Sequence, residues 1–366
     1  MPETISPLPV LDLYGSPQQM GESHGESRRS EIKEYATVWM EWILNRSAIP
    51  LDADQLWQRW EKQVPLNQDQ APELIEEMHG IARGSNVPFH QIFLLNSLLD
   101  ISNIQYLKAS AGLVGCSTFA VEHESGTGDT ILGQTYDLPT VHKPHAIVIR
   151  LHPENGPAQL VFSFDGVIGC AGLNELGIGI NINYLSSKDT GTGKLHAVIV
   201  RKVLASQTLA DAMIWPIVPP RCGGSHYLLG NDEGNLLSVE VNGQQHSLLH
   251  PNPNGILFHT NHYLKDELLP AELIRKSSIG SSVLRYMVLE KFFNRENKVL
   301  SQDVLMNLMR DHTSYPRSIC SHEADSADDT PRSCTIAAMI QSLNKRTMRI
   351  TNGCACESEF HEFTLS

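Results

Sequence analysis

Apolar positions recur at helical spacing through the first part of the chain. Ile32, Tyr35, Ala36, Val38, Trp39, Trp42 and Ile43 form one broad face and predict a helix over Ser27–Asn45. Leu74, Ile75, Met78 and Ile81 repeat the pattern over Glu73–Ala82, and Gly84-Ser85-Asn86 breaks it. A further helix is expected over Pro88–Ile101, with proline tolerated at its start. Residues 1 to about 110 therefore read as helical.

After Ser110 the pattern changes to short strands. Ser117–Glu122 and Thr130–Tyr136 flank the glycine-rich turn EHESGTGD, which predicts a hairpin. More strands are expected at Ala146–Leu151, Leu160–Phe164, Ile178–Tyr184, Tyr227–Leu229, Leu236–Val241, Thr335–Ile340 and Thr347–Thr351. Helical spacing returns at His196–Ser206, Ser281–Phe293 and Gln302–Arg310. Strands bracketed by helical blocks suggest helix layers around a central sheet system.

Composition narrows the function classes. The 366 residues carry a formal charge of −13, and no basic footprint for nucleic acid is visible. No run of about 18 apolar residues occurs, so no membrane partner is expected. The start, MPETISPLPVLDLYG, lacks the basic and apolar regions of a secretory signal. Seven cysteines, an odd number, argue for reduced thiols, and a cytoplasmic location is expected. The sixteen histidines are scattered, and neither HExxH nor a paired CxxC is present, so neither a metal nor another cofactor is expected.

Cys116 is the exception among the thiols. It follows the small residue Gly115 at the switch from irregular chain to strand, and Asp137 follows the second strand of the hairpin. Hairpin pairing would bring the two ends together, so thiol and carboxylate could share a site. A thiolate is the competent nucleophile, yet a free cysteine holds little of it at neutral pH. An α-amine, with a reference pKa of about 7.7–8.0, could take the thiol proton if Cys116 became an N-terminal residue. A preceding glycine would permit close approach of thiol to carbonyl.

Several stretches resemble the penicillin acyltransferase-like branch of the N-terminal nucleophile hydrolases, which also includes β-alanyl amine hydrolases. They are Gly15–Ile32 (GSPQQMGESHGESRRSEI), Glu76–Ile101 (EEMHGIARGSNVPFHQIFLLNSLLDI), GCSTFA followed by GQTYD, Gly172–Asn183 and His259–Tyr263. The resemblance covers nearly the whole chain, and the Gly-Cys plus Gly-Gln-x-x-Asp pair is its specific part.

The resemblance implies an α+β fold, a four-layer αββα sandwich. It also implies self-cleavage at Gly115–Cys116 into a helical segment, 1–115, and a hydrolase chain, 116–366, that stay together as a heterodimer. It matches Cys116 to the nucleophile, Asp137 and Asn261 to site residues, and Asn183 to an oxyanion-hole asparagine. Where the family often has an arginine after Ser-Ile-Cys, this chain has Ser321. Arg317 is the nearest candidate and Arg332 the second. The implied activity is hydrolysis of a C–N amide in a small molecule through an acyl-thioester. The alternatives are acyl transfer from an acyl-CoA or acyl-peptide, and an inactive binding scaffold.

Overall fold

The computed structural model describes residues 5–47, 49–102, 115–123, 128–273, 278–295, 300–323 and 332–365. The helices are α1 (Pro17–Ser27), α2 (Arg29–Arg46), α3 (Ala53–Trp60), α4 (Gln63–Gln70), α5 (Pro72–Ser85), α6 (Phe89–Leu95), α7 (Leu98–Ser102), α8 (His196–Leu204), α9 (Leu209–Ile217), α10 (Ile279–Phe293) and α11 (Gln302–Leu308). The strands begin with β1 (Val10–Gly15), β2 (Gly115–Val121), β3 (Ile131–Pro139), β4 (Ala146–Pro153), β5 (Gln159–Phe164), β6 (Ala171–Asn174) and β7 (Gly179–Tyr184). They continue with β8 (Ser225–Gly230), β9 (Leu236–Val241), β10 (His246–Leu249), β11 (Ile256–His259), β12 (Ser333–Ser342), β13 (Thr347–Ile350) and β14 (His361–Thr364).

Two sheets face one another. The larger runs β1-β4-β5-β6-β7-β8-β9-β10 and the smaller β11-β2-β3-β12-β13-β14. The central strands β2 and β3 pack on β7 and β8, while α8 and α9 cover the far side of the larger sheet and α10 covers β2 and β11. This is an α+β, four-layer arrangement. The burial of every residue of β3, β5 and β7 follows from it, because both faces of these strands are covered.

The N-terminal segment departs from the helical reading. Val10–Gly15 is a strand that pairs in parallel with β4, placing residues 5–102 and the larger sheet in one hydrophobic core. The helix expected over Pro88–Ile101 is split into α6 and α7. At the break, Asn96 donates to Ile92 O and Gly166 O and accepts from Ile168 N–H. The hydroxyl of Ser97 turns back to Phe93 O.

The glycines of α1 and α5 have a packing role. A Cβ at Gly21 would lie 2.1 Å from Glu77 O, and one at Gly84 would lie 2.3 Å from Glu22 O. Backbone meets backbone along this crossing, so any side chain there would push the helices apart. No helix among the described residues is long and apolar enough to cross a membrane.

Candidate active site

The two strands expected at Ser117–Glu122 and Thr130–Tyr136 pair with one another as β2 and β3. Gly115 lies opposite Asp137, and Cys116 lies opposite Tyr136. On its other edge β3 pairs with β12, where Thr335 lies opposite Asp137 just before a bulge at Ile336. Gly115, Asp137 and Thr335 thus form one row across three strands. Thr335 Oγ1 donates to Asp137 Oδ1 at 2.7 Å.

On the opposite edge of β2 the ladder runs out. The last pair with β11 is His259 with Thr118, so Cys116 lies beyond the end of the neighbouring strand. Side chains satisfy its backbone instead. Its N–H donates to Asn261 Oδ1 at 2.8 Å. Its carbonyl accepts from Arg285 Nη1 at 2.7 Å and from Asn183 Nδ2 at 3.0 Å.

Each of these side chains is itself fixed. Asn261 donates from Nδ2 to Tyr184 O, and its backbone N–H donates to Ser282 Oγ. Asn183 Oδ1 accepts from Thr118 Oγ1 at 2.6 Å and lies 2.7 Å from His226 Nδ1. Burial, with help from stacked His259, holds His226 well below the ordinary imidazole range, so it is neutral. With Nδ1 protonated toward Asn183, its Nε2 accepts from Ser238 Oγ. The neutral ring and Thr118 therefore turn the amide of Asn183 so that Nδ2 faces the carbonyl of Cys116.

Arg285 is the residue that the sequence reading missed. Its guanidinium is buried and also donates to Ser117 Oγ and Asn261 Oδ1. Its Nε donates to Ser281 Oγ at 3.3 Å. The arginine candidates from the sequence sit differently. Arg317 reaches this region through its backbone carbonyl, which accepts from Ser281 Oγ at 3.0 Å. Arg332 is exposed and lies 3.6 Å from Glu323. The guanidinium on Cys116 is therefore that of Arg285. A signal for it existed: Ser282, Arg285, Leu289 and Phe293 make up the buried stripe of α10, and a charged residue on such a stripe calls for partners.

Electrostatics separates the uncut site from a reactive one. Burial pushes the Cys116 thiol up to about 12, and the Asp137 carboxylate adds to this. Arg285 and the backbone N–H groups of Asp137 and Tyr184 oppose the shift. Burial also raises Asp137 to about 7, against the pull of Arg285 and the Thr335 hydroxyl. At neutral pH the thiol is protonated and the carboxylate is near its midpoint. Proton transfer between neighbouring groups is the chemistry this arrangement can support.

The family described as acyl-coenzyme A:6-aminopenicillanic acid acyl-transferase matches residues 123–354, a range that holds Asp137, Asn183, Asn261 and Arg285 and begins after Cys116. The 40 kDa form of acyl-coenzyme A:6-aminopenicillanic-acid-acyltransferase from Emericella nidulans is 23% identical over 318 residues, covering 85% of this chain and 84% of that protein. A β-alanyl-dopamine/carcinine hydrolase from Drosophila melanogaster is 23% identical over 383 residues, covering 97% and 95%. Among solved structures, a Caenorhabditis elegans ortholog of N-acylethanolamine-hydrolyzing acid amidase aligns with a TM-score of 0.42 at 12% identity, over 63% of this chain and 93% of that one. Penicillin V acylase from Agrobacterium tumefaciens aligns with a TM-score of 0.40 at 15% identity, over 65% and 83%.

Proposed function

Because the chain belongs to the acyl-coenzyme A:6-aminopenicillanic acid acyl-transferase family and is an enzyme acting on amide bonds, we propose that Cys116 is its nucleophile, freed by cleavage of the Gly115–Cys116 bond. In the uncut chain the Asp137 carboxylate takes the thiol proton and Sγ attacks the carbonyl carbon of Gly115. The C–N bond breaks as the protonated Asp137 carboxyl gives that proton to the Cys116 nitrogen, which leaves as an amine, and water hydrolyses the thioester. Segments 1–115 and 116–366 remain together through their shared core.

In the cut enzyme the α-amine of Cys116 accepts the thiol proton and Sγ bonds to the substrate carbonyl. Backbone N–H groups beside the thiol, those of Asp137 and Tyr184, hold the developing oxyanion, a contribution worth a few kcal/mol. The ammonium gives its proton to the leaving amine as the C–N bond breaks. Water then attacks the thioester, releasing the acid and restoring the thiol. Asp137 balances the charge of the ammonium. Asn183, Asn261 and Arg285 are positioning residues, since each holds the backbone of Cys116.

The observation that supports this reading most is that backbone. A residue held by side chains on both its N–H and its carbonyl keeps its place when the preceding peptide bond is cut. One aligned relative is named for β-alanyl-dopamine and carcinine, so a β-alanyl amine is a suitable first probe.

Intact-mass measurement tests maturation. Wild type should yield two chains, 1–115 and 116–366, and Cys116→Ala should stay whole. Wild type found only as the uncut chain would overturn the proposal. A panel of N-acyl amines, followed by release of free amine with and without an added acceptor amine, separates hydrolysis from acyl transfer.

A further inference from the structure

The region after α11 and the C-terminal strands converge on a second cluster, apart from Cys116. His312, Cys320, His322 and Cys356 present one ligand atom each, and all four atoms lie within 4.8 Å of one another. His312 Nε2 is 3.1 Å from His322 Nε2. His322 Nε2 is 3.6 Å from Cys320 Sγ and 3.3 Å from Cys356 Sγ. The two sulfurs are 3.6 Å apart.

These four distances lie within about 0.2 Å of four edges of a metal-centred tetrahedron, and the other two pairs lie within 4.8 Å. Zn–N bonds of about 2.0–2.1 Å and Zn–S bonds of about 2.3 Å set nitrogen–nitrogen, nitrogen–sulfur and sulfur–sulfur edges of about 3.3, 3.5 and 3.8 Å. Hydrogen bonding alone accounts for the cluster poorly. His322 Nε2 has either one proton or one lone pair, yet three ligand atoms crowd it. A disulfide does not account for it either, since that bond needs sulfurs about 2.05 Å apart.

Both arms are held by other bonds. Cys320 N–H donates to Asp311 O, and His322 N–H donates to Pro316 O. On the other arm Arg310 Nε donates to Ala355 O, next to Cys356. Glu357 Oε1 lies 3.5 Å from His322 Nδ1, where a carboxylate favours the tautomer that leaves Nε2 free to bind a metal. Cys356 and His312 are exposed, which gives an ion a way in.

We propose that His312, Cys320, His322 and Cys356 bind one zinc ion in a closed, structural Cys2His2 site. Binding replaces two thiol protons, which leave to solvent, and forms two Zn–S and two Zn–N bonds. The site brackets Ser321, whose N–H donates to Thr335 Oγ1 at 2.8 Å and whose carbonyl accepts from Thr335 N–H at 2.9 Å. The ion thereby fastens the segment that orients the hydroxyl on Asp137. It is independent of the role proposed for Cys116.

The test uses the untagged full chain, purified under reductant and dialysed against metal-free buffer. Elemental analysis should find about one zinc per chain. After stripping by chelator, added Co2+ should give the intense d–d bands of a tetrahedral site with thiolate charge-transfer absorption. Cys356→Ser and His312→Ala, both at exposed positions, should lower zinc content at least tenfold with circular dichroism unchanged. Failure of the stripped, reduced wild type to take up zinc or cobalt at micromolar free metal would overturn the site. Undiminished zinc in both variants would also overturn it, because the ion would then lie elsewhere.

Discussion

Asp137 and Gly115 face each other across the β2–β3 ladder, and the carboxylate occupies the space that a side chain at position 115 would need. A Cβ built on Gly115 would lie 2.9 Å from Asp137 Oδ2. Glycine before the nucleophile is therefore a requirement of the site's packing as well as of backbone freedom. Gly115→Ala should displace Asp137, and processing should slow by at least about tenfold, equivalent to about 1.4 kcal/mol. Time-resolved intact mass of freshly folded chain measures this. Processing at the wild-type rate would mean that the carboxylate can move aside without consequence.

The second expectation separates Arg285 from Arg317. A hydrogen bond to a charged group contributes about 1.5–3 kcal/mol, and Arg285 makes such bonds to the Cys116 carbonyl, Ser117 and Asn261. Losing the alignment they impose should cost kcat/KM roughly ten- to hundredfold in Arg285→Gln. Arg317→Gln should cost much less, because Arg317 meets this region through its backbone carbonyl, which the substitution keeps. Equal losses in the two variants would return Arg317 to the site.

How much of this was legible in the sequence depends on the kind of signal. The pairing of β2 with β3 was legible because two short strand-like runs lie close together in the chain, and its register put Asp137 beside Gly115, while residues 124–127 of the expected turn lie outside the described residues. The strand β1 was not: it follows Pro7 and Pro9, and a parallel partner more than a hundred residues away leaves no local trace. The helix α1 (PQQMGESHGES) carries few large apolar residues because its contact with α5 is made by glycine backbone. Arg285 was hidden because a charged residue on an apolar helical stripe breaks the pattern used to find the stripe. The four clustered ligands of His312, Cys320, His322 and Cys356 lack a recognised spacing, since three come from one loop and the fourth from beyond β13.

Processing should depend on pH through Asp137. Its folded pKa is about 7, raised chiefly by burial, so the carboxylate that can accept the thiol proton accumulates as pH rises through 7. The rate of Gly115–Cys116 cleavage should therefore climb between about pH 6 and 8, half-maximal near 7, and level off above about pH 8. Arg285 lowers the Asp137 pKa, so Arg285→Gln should move the midpoint upward. Asp137→Asn should abolish the inflection. A flat profile in wild type between pH 5 and 9 would remove Asp137 as the proton acceptor.

Substrate charge provides the last expectation. The chain carries a net charge of −13, and Ser321 stands where the resembling family often has an arginine. The Arg285 guanidinium on Cys116 is buried and already engaged with the Cys116 carbonyl, Ser117 and Asn261, which leaves it poorly placed to receive a substrate carboxylate. Of the other two candidates, Arg332 is exposed and lies beside Glu323. An amide bearing an amine should therefore be turned over faster than a matched amide bearing a carboxylate. If attraction to the acidic protein contributes, the advantage should shrink as salt screens it, with a Debye length of about 10 Å at 0.1 M. The measurement is kcat/KM for the matched pair at low and moderate ionic strength. A clear preference for the carboxylated amide would overturn this reading, and Arg317→Gln and Arg332→Gln would then identify which arginine anchors it.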